Sequence, residues 1–324
     1  MAKRKTSKKK PSSTSKFRIL ALDGGGIRGL LSATWLDRLE REEKSALRSR
    51  CDLVVGSGTG SILAAAVALG IPAREVAELY EDLSGHIFAR SPGRLWSNVP
   101  LSSEAGPRYA AEGLMYRLRD AFGDATLGAL EIEVAIVAYD TLGRAPVIFR
   151  SSAQEHAELT LAGVVYASCA APGLFPAHVL DIEGEPRPLV SGSVVANNPA
   201  MLALTVAGAI RGQLDLDEIT LVSLGTGRDT RPIPADLAQS WGPSQWMGAL
   251  GAVMEDGAGE AVHRSLEALL PPARYVRFQI PLADASDDID DASPANIAAL
   301  TNAARRYLRT VEGKAVFARA TRAL

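Results

Sequence analysis

Apolar positions in this chain gather into short continuous runs, separated by stretches in which apolar and polar residues alternate at helical spacing. Residues 17–22 are apolar enough for a buried strand. Residues 29–49 then place Leu30, Leu31, Trp35, Leu36 and Leu39 on one helical face, with Asp37, Arg38 and Arg41 opposite. Residues 52–55 predict a second strand and 62–69 an apolar helix. Pro72 introduces a third helix over 73–83. Residues 91–107, rich in Pro, Gly and Ser, read as a loop or lid, and 109–122 as a helix. Strands follow at 131–139 and 146–149 with Gly143 between them, then an apolar helix at 160–169. An extended piece at 188–190, a helix at 200–209 and a buried strand at 219–224 come next. The rest alternates helices with one strand, 275–280. The acidic stretch 284–294 lacks calcium-loop spacing and reads as solvated surface. Strands separated by helices predict an α/β fold of three layers, a mainly parallel sheet covered by helices on both faces.

No internal repeat or linker interrupts residues 17–324. The expected organisation is a basic tail at 1–16, a core domain at 17–205, and 206–324 completing the same domain. The tail holds seven Lys or Arg and no acid, which leaves 28 basic against 37 acidic residues in the body, a net charge of −9. An acidic body argues against nucleic acid as a partner. The tail has no apolar core, so it reads as a disordered solubilising segment, with tethering to an anionic membrane surface as the alternative. Cys51 and Cys169 stand without metal-ligand spacing, and neither a metal nor a cofactor is expected. Two reduced thiols and no apolar run near the roughly 20 residues of a membrane span predict a soluble cytoplasmic protein. Oligomeric state leaves no mark in the sequence.

The chemistry concentrates in two glycine turns, each after a strand and before a helix. The first is Asp23-Gly24-Gly25-Gly26-Ile27-Arg28-Gly29 and the second Gly56-Ser57-Gly58-Thr59-Gly60-Ser61. The first fits the dinucleotide pattern G-x-G-x-x-G. However, the acidic residue that pattern requires falls on Asp52, at the wrong end of its strand for a ribose, and the second turn is left unexplained. Acyl-ester hydrolysis accounts for both. Glycines after the first strand present N–H groups to an oxyanion, and the second turn has the form of a nucleophile elbow. An elbow carries a serine at its centre; here that position is Gly58.

The run Ile19-Leu-Ala-Leu-Asp-Gly-Gly-Gly-Ile-Arg-Gly-Leu30 is very similar to the opening of the patatin-like phospholipases, and residues 52–60 resemble the surroundings of their nucleophile. Residues 167–176, 194–200 and 223–227 resemble further family motifs in the family's order, and 290–296 the tail region of bacterial members. The resemblance implies a three-layer α/β fold, lipid acyl-ester hydrolysis by a Ser–Asp dyad, and no catalytic histidine. It implies an oxyanion loop at Gly24, Gly25, Gly26, Ile27, Arg28 and Gly29. It puts the nucleophile on Gly58 and the dyad aspartate on Ser191, so both reacting side chains are replaced, and a motif glycine falls on Ser193. No carboxylate stands in for Ser191 in the motif. His86, His156, His178 and His263 lie outside the motifs and are expected as surface or core residues. The leading expectation is a lipid- or fatty-acid-binding pseudoenzyme. The alternative is a hydrolase using Ser57, Thr59 or Ser193, and a dinucleotide-binding protein is the distant third.

Overall fold

In the computed structural model, which describes residues 16–87 and 106–324, strands β1 (Phe17–Leu22), β2 (Leu53–Ser57) and β7 (Ile219–Leu224) form the parallel centre of an eight-stranded sheet. Their side chains alternate between two cores. Leu20 and Leu22 face one, Ile19 and Ala21 the other, so the run is apolar throughout because both faces are covered. The strand order is β5-β6-β3-β2-β1-β7-β8, with β3 (Glu133–Asp140) and β8 (Tyr275–Phe278) also parallel to the centre. Two strands run against the centre, β4 (Ala145–Arg150) and β6 (Glu185–Ser191), both paired antiparallel with β3, and β5 (His178–Ile182) pairs antiparallel with β6 at the edge. The fold is thus mixed α/β with a mostly parallel sheet.

The larger core packs α1 (Leu30–Glu43), α2 (Gly60–Leu69), α3 (Ala73–His86), α4 (Ala111–Phe122) and α5 (Leu161–Cys169) on one face. Helices α10 (Pro294–Tyr307) and α11 (Val311–Ala323) join the same layer, where Trp35 stacks against Phe278 and donates Nε1–H to the Ala304 carbonyl at 3.2 Å. The opposite face is covered by α7 (Ala200–Arg211) and the long α9 (Pro243–Leu269), after the short helices α6 (Ser193–Ala196) and α8 (Ala235–Ser240).

Most boundaries expected from the pattern shift by a few residues. Helix α1 stops at Glu43 rather than 49, because Lys44 turns left-handed, and β2 runs on to Ser57. The hairpin partner β5 has no counterpart in the sequence reading. The expected loop at 91–107 falls largely outside the described residues, as does the tail. The acidic stretch 284–294 is not merely solvated. Asp287 is half-buried and pairs with Arg231, and Asp290 accepts from both Arg108 and Tyr109. The Ile289 carbonyl accepts from Ile27 N at 2.9 Å, so this segment straps the first glycine turn in place.

Strand pairing delivers the site. Strand β2 ends at Ser57 opposite Val137 of β3, and β6 takes over the same edge of β3, with Ser191 opposite Ala138. Two segments distant in sequence are therefore set end to end along one strand, and Ser191 falls beside the turn that follows Ser57.

Candidate functional site

Both glycine turns lie at the carboxyl ends of the parallel strands, where open α/β sheets bind ligands. The second turn is built as tightly as its sequence demands. Gly58 has φ of +52°, a left-handed conformation that a residue with a Cβ adopts only under strain. A Cβ at Gly56 would meet the Gly60 carbonyl at 2.6 Å, and one at Gly60 would run into the Leu22 carbonyl. The bend therefore requires its flanking glycines.

The missing side chain at 58 has a defined direction. An ideal Cβ there would stand 3.7 Å from Ser191 Oγ and 2.6 Å from Ser193 Oγ. The two positions that the resemblance assigns to a dyad thus face each other, and Ser193 has moved its hydroxyl into the space between Gly58 and Gly24. Ser191 is buried and its Oγ accepts from Ser193 N at 3.2 Å.

The first turn divides its residues between two tasks. Gly24 N donates to the Asn197 carbonyl at 3.0 Å and Ile27 N to Ile289, so neither is available to an oxyanion. Thr226 Oγ1 donates to the Gly24 carbonyl at 2.6 Å and fills the space a Cβ at Gly25 would need. Gly29 is closed over by the Tyr80 phenol. Among the described residues the N–H groups of Gly25 and Gly26 have no backbone or side-chain acceptor. Of the six residues expected to form an oxyanion loop, these two keep N–H groups without a protein acceptor among the described residues.

A cavity of about 60 Å³ opens beside these groups. Gly25, Gly26, Gly58, Ser191 and Ser193 form its polar end, while Ile62, Leu114, Leu174 and Phe175 contribute apolar wall. Of the alternative hydroxyls, Ser57 is buried outside this cavity with its Oγ unpartnered among the described residues. Thr59 lines the cavity but donates to the Gly26 carbonyl at 3.1 Å, tying the turns together. Cys169 also lines it. Burial pushes that thiol up to about 12, and Sγ donates to the Gly58 carbonyl at 3.2 Å, which keeps it protonated and structural.

Sequence reasoning did not assign the apolar wall to the site, nor the one carboxylate of the lining, Glu255 of α9. Burial raises its pKa against the pull of Arg28. Nothing in its local sequence marks it, because a helix far along the chain brings it in.

Glu255 also belongs to a second and much larger space, a groove of about 1080 Å³ on the other side of the first turn. Buried Asp23 and half-buried Arg277 form a bidentate pair in its lining, at 2.9 and 2.6 Å, and Arg277 also donates to Ser223 Oγ at 2.7 Å. Burial lowers the Arg277 pKa and Asp23 raises it, with the second winning, so the guanidinium stays charged. Arg28 points here rather than into the small cavity. Its Nη1 donates to the Asp287 carbonyl at 3.2 Å, and burial lowers its pKa against Glu255 and Asp256. Its expected part in an oxyanion loop is therefore not supported by its side-chain direction.

Asp52 lies at the far end of its strand, bonded to Arg18 N at 2.8 Å and to the Arg18 guanidinium. A ribose at the glycine turns could not reach it. Of the histidines, His156 accepts from Arg150 N and His178 packs on Tyr166, both with pKa lowered by burial. His263 bonds the Tyr275 hydroxyl at 3.0 Å in the large groove. None lines the small cavity, and the His86 side chain lies outside the described residues. Among the described residues no cluster of potential metal ligands occurs and no helix is long and apolar enough to cross a membrane.

A family model described as patatin-like phospholipase matches residues 20–204. The chain is 28% identical over 331 residues to Patatin-12 of Solanum tuberosum, spanning 90% of this chain and 83% of that protein. It is equally 28% identical over 333 residues to a protein of the same plant named Probable inactive patatin-3-Kuras 1, spanning 90% and 86%. Among solved structures, VipD from Legionella pneumophila aligns with 91% of this chain and 67% of its own, at a TM-score of 0.44 and 11% identity.

Proposed function

Because the chain belongs to the patatin-like phospholipase family, a family of lipid acyl hydrolases, we propose that it retains the family's acyl-binding site and lacks its Ser–Asp hydrolysis. One observation carries this reading: position 58 is aimed at position 191 across the cavity, and the two hold a hydrogen and a hydroxymethyl group. Neither can supply an activated nucleophile, since a serine hydroxyl needs an adjacent base near neutral pH. Among the described residues no carboxylate or imidazole is bonded to Ser191 or Ser193. The cavity keeps two backbone donors at its polar end and an apolar wall, which suits the carbonyl end of an acyl ligand. With Ser191 in place of an aspartate, a fatty-acid carboxylate no longer meets that repelling charge.

A second reading has a specific observation behind it. Ser193 Oγ lies close to where the hydroxyl of a serine at 58 would stand, whereas Ser57 is buried and Thr59 is engaged. If any hydroxyl here hydrolyses esters, it is Ser193, with Glu255 as the carboxylate among the cavity's lining residues. A fluorophosphonate probe separates the readings, because labelling requires an activated hydroxyl. We expect no labelling, together with chemical-shift changes at Gly25 and Gly58 on titrating hexanoate. Labelling that Ser193→Ala abolishes would replace the first reading with the second. No shifts with hexanoate or its methyl ester would refute the binding site itself.

A further inference from the structure

Strand β8 is the last in the sheet order, so one of its two edges has no strand beside it among the described residues. The phase of its pairing tells which groups are left over. The Arg274, Phe278 and Ile280 carbonyls accept from Leu221 N, Gly225 N and Arg228 N at 2.7, 2.8 and 2.8 Å. The even-numbered residues therefore bond inward, to β7 and the segment that follows it. In an extended strand the odd-numbered residues then turn their backbone groups outward. Tyr275 N is engaged by the Pro271 carbonyl. The Tyr275 carbonyl and both backbone groups of Arg277 and Gln279 have no backbone or side-chain partner among the described residues. Unpaired edge groups of this kind are a template for another strand.

That edge borders the large groove. Residues of α9, which covers one face of the sheet, line it, and so do Glu312, Val316 and Arg319 of α11, which covers the other. A space lined from both layers has to pass around the edge of the strand between them, and Tyr275, Arg277 and Gln279 line it as well. Over Tyr275 to Gln279 the slot offers about 17 Å, room for about five residues of extended chain. Its charge is unbalanced. Seven carboxylates and five arginines line it, and Arg277 and Arg264 are taken up by Asp23 and Glu260. Glu255, Asp256 and Glu312 have no cation within ion-pair distance among the described residues, and Glu267 has only His263, at 3.7 Å. These carboxylates stand on both walls.

We infer that the outer edge of β8 is a docking site for an extended basic peptide of a partner protein, which joins the sheet as an added strand. Main-chain hydrogen bonds to Arg277 and Gln279 hold it in register. Its lysine or arginine side chains, repeating at every second residue, meet the unpaired carboxylates of the walls. Charge selects the occupant. A neutral or acidic strand would find the same backbone groups but leave those carboxylates uncompensated or opposed. The site goes beyond the acyl-binding reading and requires neither the small cavity nor its ligand.

The test is titration of the full, isotope-labelled chain with an acetylated and amidated heptapeptide alternating lysine and valine, followed by amide NMR. We expect saturable shifts at Arg277 and Gln279. The same peptide N-methylated throughout keeps every charge and loses every backbone donor, and should bind about tenfold more weakly. A heptapeptide alternating glutamate and valine should lose at least as much. Glu267→Lys should weaken binding of the lysine peptide about fivefold. Glu155→Lys makes the same charge change beyond β4, away from β8, and should leave binding unchanged, with thermal melting showing both variants folded. Absence of shifts, equal binding of the N-methylated or the acidic peptide, or equal binding by Glu267→Lys would overturn the docking site. A dimer that forms without peptide and parts on its addition would overturn it in favour of a second copy. Carbodiimide coupling of Glu267 or Glu312 to lysines of residues 3–10 in the free chain would overturn it in favour of the chain's own tail.

Discussion

The two spaces at the carboxyl pole share Glu255 and the first glycine turn, yet they are built on opposite principles. The small cavity, about 60 Å³, is shaped by backbone: glycines at 25, 26 and 58 and serines at 191 and 193. The groove, about 1080 Å³, is shaped by charge, with Asp23, Arg28, Asp229, Glu255, Asp256 and Arg277 around it. Volume favours the groove and family chemistry favours the cavity. The difference separates two kinds of loss. On the proposed reading, backbone geometry outlasts substitution of the reacting side chains because the turns are held by packing and hydrogen bonds that do not involve positions 58 and 191. The charged groove holds the strand ends in place.

The largest effect should come from rebuilding the small cavity. Gly58→Ser with Ser191→Asp alone is expected to stay at background on acyl-nitrophenyl esters, because Ser193 Oγ occupies the new Cβ's space. Adding Ser193→Gly clears it, and turnover should rise by about a thousandfold or more, given what removing a nucleophile costs elsewhere. Equal activity in the double and triple variants would show that Ser193 is no obstacle. Next comes the charged side of the comparison. Arg277→Met leaves the buried Asp23 carboxylate unpaired and should cost about 3–5 kcal/mol in denaturant unfolding, with the small cavity's ligand binding lost only through unfolding. A change below 1 kcal/mol would mean that water or another cation compensates.

Gly58→Ala tests the turn by itself. The residue sits at φ +52° and its Cβ would press on a movable hydroxyl, so a cost of about 1–2 kcal/mol is expected, read as a lower Tm. No change would imply that the turn relaxes. The smallest effect belongs to the residue both spaces share. Removing the Glu255 charge should tighten hexanoate binding by about fivefold at neutral pH, roughly 1 kcal/mol of relieved repulsion. The sign for stability is also fixed. Burial raises the folded pKa of Glu255, so the folded state holds its proton more tightly and stability falls as pH rises through that pKa. Glu255→Gln should therefore be neutral or stabilising at pH 7, and weaker hexanoate binding in that variant would contradict its placement.

Much of this molecule could be read from the chain alone, for identifiable reasons. Strands β1, β2 and β7 are buried on both faces, so they appear as unbroken apolar runs, and glycines mark both turns that follow β1 and β2. The pairing of Gly58 with Ser191 was legible because each lies in its own recognisable motif. Hairpin β5–β6 was half hidden. Its outer strand alternates between partly buried and exposed residues, and only half of its two-residue turn carries a turn signal, Gly184 at φ +84°, while Glu183 takes φ +56° without one. Asp23 with Arg277, Ile27 with Ile289 and Glu255 in the cavity are contacts across most of the chain, and no local pattern encodes them. Ser193 was visible as a departure, but its role required the direction of a side chain that is absent.

The hydroxyl of Ser193 also bears on reversibility. On the proposed reading, a serine introduced at position 58 arrives in occupied space, with backbone strain and no base opposite it. An aspartate introduced first at 191 faces a glycine at 58, with no hydroxyl at that position to activate. Each single change is then penalised or idle, and only the combination supplies a serine with a base opposite it. In mutational terms the three positions form an epistatic lock: easily entered one change at a time, and left only by several changes together.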